Sequence, residues 1–338
     1  MKVLTLQHFD QTAARVAGNN QTCNIVCNPW YTVYATTEKK DRLTVLDVLL
    51  GGIERQFLLN EEAFTLLKTF NIPQKIIAGL LKLPQSILLG EASFLEEINH
   101  HLPKLGSIEF NRLLEAAAIA AYHSQSDWPV VQALVCDDAP QFKLLTEQLA
   151  LCWVHEGRHY KKLTPSVGYH RQFLDKFLKD YWDYYRQLLL YREHPSLEAA
   201  EKLRQQFQEL FERTTGYKEQ DSRIRLTRDK EPELLLVLQH PEIPLHNNPA
   251  ELGARTMVRR RLISYGTRTG EGTKAWDTFL SLVATTRQLG LSFFEYVCDR
   301  ISQLGRIKPL AQIIREKANA SPRGESWLQV LPLSPNSG

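Results

Sequence analysis

Three acidic positions in this 338-residue chain stand where regular elements begin or end. Asp10 follows a β-rich run, in His8-Phe-Asp-Gln-Thr12. Asp137, with Asp138 beside it, follows the apolar run Ala133–Cys136. Glu251 opens an amphipathic stretch, in Asn247-Asn-Pro-Ala-Glu-Leu-Gly-Ala-Arg255. Carboxylates at strand ends and helix starts can converge on one point while lying far apart in sequence. Such a trio suits two Mg²⁺ ions, with Mn²⁺ as a substitute, because these cations prefer carboxylate oxygen and keep several waters. Two ions about 3.5–4 Å apart stabilise the attacking and leaving oxygens of an in-line phosphoryl displacement. Each acid also has a plain reading. Asp10 suits a turn and Asp137-Asp138-Ala-Pro140 an N-cap and turn. Asn248 as N-cap, Pro249 at the first helical position and Glu251 at the third make a helix start. Arg255, four residues after Glu251, suits an ordinary helical ion pair.

A second group of residues surrounds these acids in sequence. Cys152-Trp-Val-His155 supplies only two zinc-type ligands, with no second pair at convincing spacing, so Cys152 reads as a buried strand residue. His155 and Arg158 then read as phosphate or substrate contacts. Trp153 either stacks on an unpaired base or belongs to the core. Arg255, Arg259, Arg260, Arg261 and Arg268 follow Glu251 and suggest a phosphate track; as consecutive residues, Arg259–Arg261 cannot all face one way. Arg223, Arg225, Arg228 and Lys230 form another basic run, read as a second patch or a solvated face.

The elements that must position these groups read as mixed α/β. Strands are expected at Val3–His8, Thr22–Val26 and Trp30–Thr36, with turn chemistry at Gly18-Asn19-Asn20 and Asn28-Pro29. Leu43–Leu50 suits either a strand extension or a helix. Short amphipathic helices follow from Asn60 to Leu105, then a clear helix at Phe110–Tyr122. Buried strands are expected at Val130–Cys136 and Leu149–Val154, with a short helix at Gln141–Gln148 between them. Residues 165–240 differ in kind. Phe173, Phe177, Tyr181, Tyr185 and Leu188 lie on one helix face, and Leu203, Phe207 and Leu210 on a second, which predicts a helical hairpin. Tyr217–Lys230 reads as a loop or exposed segment, two helices are expected after Pro249, and the tail from Ala320 reads as frayed.

Composition bounds the rest. Hydrophobic residues make up 43% and charged residues 23%, which is globular usage, and 41 Lys plus Arg against 38 Asp plus Glu leaves only +3. That balance excludes a histone-like protein but not a nucleic-acid enzyme with clustered cations. No apolar run reaches membrane-spanning length, and five cysteines in a large chain suggest reduced thiols in a cytoplasm.

Three blocks together resemble the catalytic core of bacterial insertion-sequence DDE transposases. They are His8-Phe-Asp-Gln-Thr-Ala-Ala-Arg-Val-Ala-Gly-Asn-Asn20 onward through Tyr34-Ala-Thr-Thr-Glu-Lys-Lys-Asp-Arg-Leu-Thr-Val45; Leu134-Val-Cys-Asp-Asp-Ala-Pro-Gln-Phe142 with Cys152-Trp-Val-His-Glu-Gly-Arg158; and Pro244-Leu-His-Asn-Asn-Pro-Ala-Glu-Leu-Gly-Ala-Arg255. The resemblance spans about residues 8–300 and implies an RNase H-like mixed sheet flanked by helices, with a large all-helical insertion before the last Glu. It implies Asp10, Asp137 and Glu251 as metal ligands, Asp138 being the alternative to Asp137. The domain expectation is a first core segment over 1–164, an insertion over 165–240, a second core segment over 241–305 and a tail over 306–338. Double-stranded DNA, both element ends and target, is the implied partner, cut and joined with Mg²⁺ by an oligomer on the nucleoid. The chain starts nine residues before Asp10, where such transposases generally carry a helical DNA-binding region. An inactive derivative that only binds DNA is therefore the competing expectation.

Overall fold

The computed structural model describes residues 5–127 and 130–320, so residues 3–4 of the first expected strand and residues 321–338 of the tail lie outside it. The chain opens with a meander of β1 (Leu6–Val16), β2 (Asn19–Asn28) and β3 (Tyr31–Thr37), all antiparallel. The first turn is Ala17-Gly18, with φ of 49° and 81°; two left-handed residues match the twist of a tight hairpin, which favours glycine there. β1 runs eight residues past the expected His8 end, so Asp10 sits within a strand rather than at its close.

The ambiguous segment at 43–50 is a helix, α1 (Arg42–Leu50), started by Asp41 accepting from the Thr44 amide at 2.8 Å. Next come β4 (Gln56–Phe57), α2 (Glu61–Thr69), α3 (Gln74–Leu80), β5 (Leu89–Gly90) and α4 (Glu91–His101), with β4 and β5 paired as a small ribbon. These pieces lie over α5 (Ser107–Ser124): Leu59, Leu67, Phe94 and Ile98 share one apolar cluster with Leu113 and Ala117.

After α5 come β6 (Ala133–Cys136) and β7 (Gln148–Leu151), both parallel to β1. The sheet order is β3-β2-β1-β6-β7, the expected mixed RNase H-like arrangement. The expected helix at Gln141–Gln148 is instead a 3-10 turn at Pro140–Phe142, and Leu144 with φ 69° breaks any continuation. β7 stops at Leu151, and the residues expected to prolong it begin α6 (Trp153–Lys161). The helical segment comprises α7 (Gly168–Glu193), α8 (Leu197–Phe211), α9 (Lys218–Arg228) and α10 (Glu231–Leu234). α9 corrects the expected loop at Tyr217–Lys230. The chain then returns to the sheet with α11 (Asn248–Ser264), followed by α12 (Gly270–Gln288), α13 (Phe293–Ile301) and α14 (Leu310–Ala320). α14 is a helix inside the region expected to be tail.

Alternation along the strands sends side chains to two cores. Phe9, Val26, Leu134, Cys136 and Leu151 face α5 and its neighbours. Ala14, Cys23, Ile25, Cys27 and Tyr34 face α11 and α12, against Ala250, Ala254, Met257 and Leu280. Gly253 lets α11 lie this close: a Cβ there would fall 2.8 Å from Ile25 Cγ2, and its carbonyl accepts from Tyr34 Oη at 3.2 Å.

The outer edge of β3 is occupied in an unusual way. The amides of Thr32, Tyr34 and Thr36 donate to Thr285 Oγ1 at 3.2 Å, Ser281 Oγ at 2.9 Å and Asp277 Oδ2 at 2.6 Å, all from α12. Four residues of helix rise about 6 Å and two residues of strand about 6.6 Å, so the acceptors keep step with the donors.

Candidate active site

The β1–β6 register aligns Leu6 with Ala133 and His8 with Val135. Two residues further, the same register brings Asp10 beside Asp137, which directly follows β6. Strands pair at about 4.8 Å, so parallel pairing sets two anions side by side at the end of the sheet. Both lie on the face covered by α11, since their neighbours Phe9 and Cys136 face the other way into the α5 core. Glu251 is in the first turn of α11, above them. Asp10, Asp137 and Glu251 line one cavity of about 800 Å³. A cleft of about 950 Å³ between β3, α12 and α14 holds none of the three.

The electrostatics of Asp10 reflect that placement. Burial, then the charges of Asp137 and Glu251, push its pKa up to about 7, against one lowering hydrogen bond from the Gln11 amide at 2.8 Å. Asp138, the alternative ligand, is committed elsewhere. It pairs with Lys230 at 2.5 Å and Lys143 at 3.0 Å, and although burial works to raise its pKa, these cations hold it below the usual carboxylate range.

Glu251 does not behave as a helix-start residue. The N-cap is Asn247, not Asn248, and it makes no side-chain cap. Its side chain instead ties the helix to β1: Nδ2 donates to the Phe9 carbonyl at 2.7 Å, and His8 Nδ1 bonds Oδ1 at 2.9 Å. His8 is fully buried, and burial lowers its pKa to about 3, so it serves as a neutral anchor. Glu251 turns away from its own backbone and forms a two-pronged ion pair with Arg158 of α6, Nη2–Oε2 at 2.8 Å and Nη1–Oε1 at 3.3 Å. The expected partner Arg255 is exposed.

α6 is set at the site by Cys152, which is buried at its N-cap. Cys152 Sγ accepts from the amides of His155 at 3.4 Å and Asn247 at 3.3 Å, while the Trp153 amide donates to the Leu245 carbonyl at 3.0 Å. His155 and Arg158 thereby line the cavity. Trp153 does not. It is fully buried, donates Nε1–H to the Leu234 carbonyl at 2.9 Å and packs on Tyr181, Tyr184 and Phe207. The expected base-stacking role is therefore corrected to a core one, joining the sheet to α7 and α8.

Arg223 and Lys230 are likewise not a surface patch. With Thr227 they hold the buried carboxylate of Glu156, and Lys230 also reaches Asp138. Arg255 and Arg259 are exposed on α11, and Arg261 donates to the Ala13 carbonyl. Lys161, one of the basic residues that follow the second block, lines the cavity too, while sequence reasoning missed Trp182, Tyr185 and Arg186 as members of its wall from α7. Gly157 is what lets α7 come this close to α6: a Cβ there would lie 2.7 Å from Trp182 Cζ2.

The donor set fits Mg²⁺ chemically. It consists of hard carboxylate oxygens from three elements, and Asp10, whose pKa is raised first by burial and then by the charges of Asp137 and Glu251, is a confined carboxylate whose ionised form a divalent cation would favour. As placed, the described residues contain no ready-made group of three ligating side chains, and Glu251 would have to leave Arg158 to join the two aspartates.

Comparison with known proteins adds three findings. Residues 119–275, which carry Asp137, His155, Arg158 and Glu251 but not Asp10, match the family model described as Transposase IS66 family. The chain is 32% identical over 311 residues to an uncharacterized protein, y4jO, of Sinorhizobium fredii, covering 91% of this chain and 96% of the relative. No solved structure matches.

Proposed function

The chain belongs to the IS66 family of insertion-sequence transposases, and from that premise we propose that it cuts and joins DNA through a carboxylate site made of Asp10, Asp137 and Glu251. The observation that carries this reading is the convergence of the three acids on one cavity, two from adjacent parallel strands and the third from a helix seated on them. These residues would hold two Mg²⁺ ions, with Mn²⁺ as a substitute. When bound, the ions supply Lewis-acid stabilisation of the charge that builds on the phosphoryl oxygens during in-line displacement.

The chain's own residues do the rest. Hydrolysis at the element end leaves a 3′-hydroxyl, which then displaces a strand of target DNA at the same site. His155 and Arg158 face the cavity, while Arg255 and Arg259 extend a cationic track along α11 for the phosphate backbone. Asn247 and Gly253 position the helix that carries Glu251. Joining two ends to one target calls for a homo-oligomer on DNA. Among the described residues, no helix is long and apolar enough to cross a membrane.

The test is strand transfer with pre-cleaved duplex ends and Mg²⁺, comparing the wild type with Asp10→Asn and Glu251→Gln. Joining should disappear in both variants and in chelator while duplex binding persists. Equal joining by all three proteins refutes the carboxylate mechanism.

A further inference from the structure

Two ion-pair systems flank the cavity, and they differ in kind. Glu156 is buried with Arg223, Thr227 and Lys230 around it, a closed structural knot. The Arg158–Glu251 pair is open: the guanidinium side chain is 43% exposed and the carboxylate side chain 16%. Nor does docking α6 against α11 depend on it. The Asn247 amide on Cys152 Sγ, the Trp153 amide on the Leu245 carbonyl and the seat of Gly253 on Ile25 already fix both helices. A half-exposed pair of this sort contributes modest stability. It does commit both Glu251 oxygens to a guanidinium within the same cavity as Asp10 and Asp137.

The geometry points to Arg158 as a latch: it keeps the Glu251 carboxylate from the metal site until a DNA phosphate takes over the guanidinium. The inference rests on the carboxylate reading above and adds its regulation. A guanidinium presents the same two-donor fork to a carboxylate and to a phosphate, so one can displace the other without loss of hydrogen bonds. Lys161, Arg186 and Arg255 line the same cavity and draw a phosphate backbone toward it. Without DNA, two aspartates face the metal; with DNA bound, a third carboxylate is released to join them. Metal and DNA therefore bind cooperatively, and linkage requires each to strengthen the other by the same factor.

Mn²⁺ binding to the full chain, followed by the electron paramagnetic resonance signal of the free ion, tests this without reference to catalysis. In the absence of DNA, Arg158→Gln should bind Mn²⁺ about three- to tenfold more tightly than wild type, the range set by the modest strength of a half-exposed pair. Arg158→Lys, which keeps the charge but loses the fork, should gain less. A saturating short duplex, its own Mn²⁺ uptake subtracted, should tighten wild type by a similar factor and leave Arg158→Gln unchanged. Removing a nearby positive charge would also favour a cation directly, so the decisive arm is the double variant. In a Glu251→Gln background the gain from Arg158→Gln should vanish; if it persists, the effect is bulk charge and the latch is refuted. If Arg158→Gln binds no more tightly while Asp10→Asn abolishes uptake, the latch fails and the carboxylate site stands. If Asp10→Asn and Glu251→Gln both bind Mn²⁺ like wild type, both readings fail together.

Discussion

Asp10→Asn should stabilise the metal-free protein, and the gain should depend on pH in a defined way. Asp10 titrates near 7 in the fold against an ordinary value of 3.8. Between those values the native state holds a proton that the unfolded chain has released, so stability falls as pH rises through this window and levels off above 7. A shift of about three units corresponds to up to about 4 kcal/mol. With an unfolding entropy of about 2.1 cal/mol/K per residue, a chain of this length melts about 5 °C higher when that cost is removed. Melting temperatures of the two proteins in chelator, compared at each pH so that other titrations cancel, should coincide near pH 4 and separate progressively to pH 7.5. Adding Mg²⁺ should then raise wild type and leave the variant unmoved. A variant no more stable than wild type at pH 7.5, or a difference that does not grow with pH, would mean that Asp10 is not a confined anion.

Other expectations follow from the core and from the surface. Trp153→Phe leaves the Leu234 carbonyl without its donor and should cost roughly 1–3 kcal/mol in urea unfolding, with duplex affinity unchanged. Weakened DNA binding at unchanged stability would restore a base-contacting role to this tryptophan. Gly253→Ala drives a methyl into Ile25 Cγ2 and should lose about 1–3 kcal/mol, but less in an Ile25→Ala background, where that methyl is gone; additive losses in the double variant would contradict the close seat of α11. Arg255→Gln and Arg259→Gln should each reduce the slope of log affinity against log salt by about 0.9, measured by fluorescence anisotropy on a duplex. Unchanged slopes would remove α11 from the DNA track.

The sheet was legible in the sequence because its strands are β-branched and aromatic, and the two long helices of the insertion because their apolar spacing is regular. The errors have identifiable causes. The second half of β1, Gln11–Val16, lacks strand character of its own and is extended by pairing with β2 along its whole length. α9 was invisible to apolar periodicity because Arg223, among its inward groups, pairs with a carboxylate 67 residues away. Trp153 stands beside the candidate ligands in sequence, yet the helical rotation begun at Cys152 turns it into the core. The three acids could be singled out one by one, but nothing local could reveal that Glu251 turns from its own helix toward Arg158, 93 residues earlier.

The ladder from α12 onto β3 has a consequence for how copies of this protein can meet. A bare outer strand invites a foreign one to zip onto it, but here Asp277, Ser281 and Thr285 have already taken its outward amides, and at the opposite margin α10 and Leu236 pack beside β7. With the amides of one margin taken and the other margin packed against helix, copies of this chain are steered away from continuous intermolecular sheet, a safeguard against fibrous aggregation wherever local concentration is high.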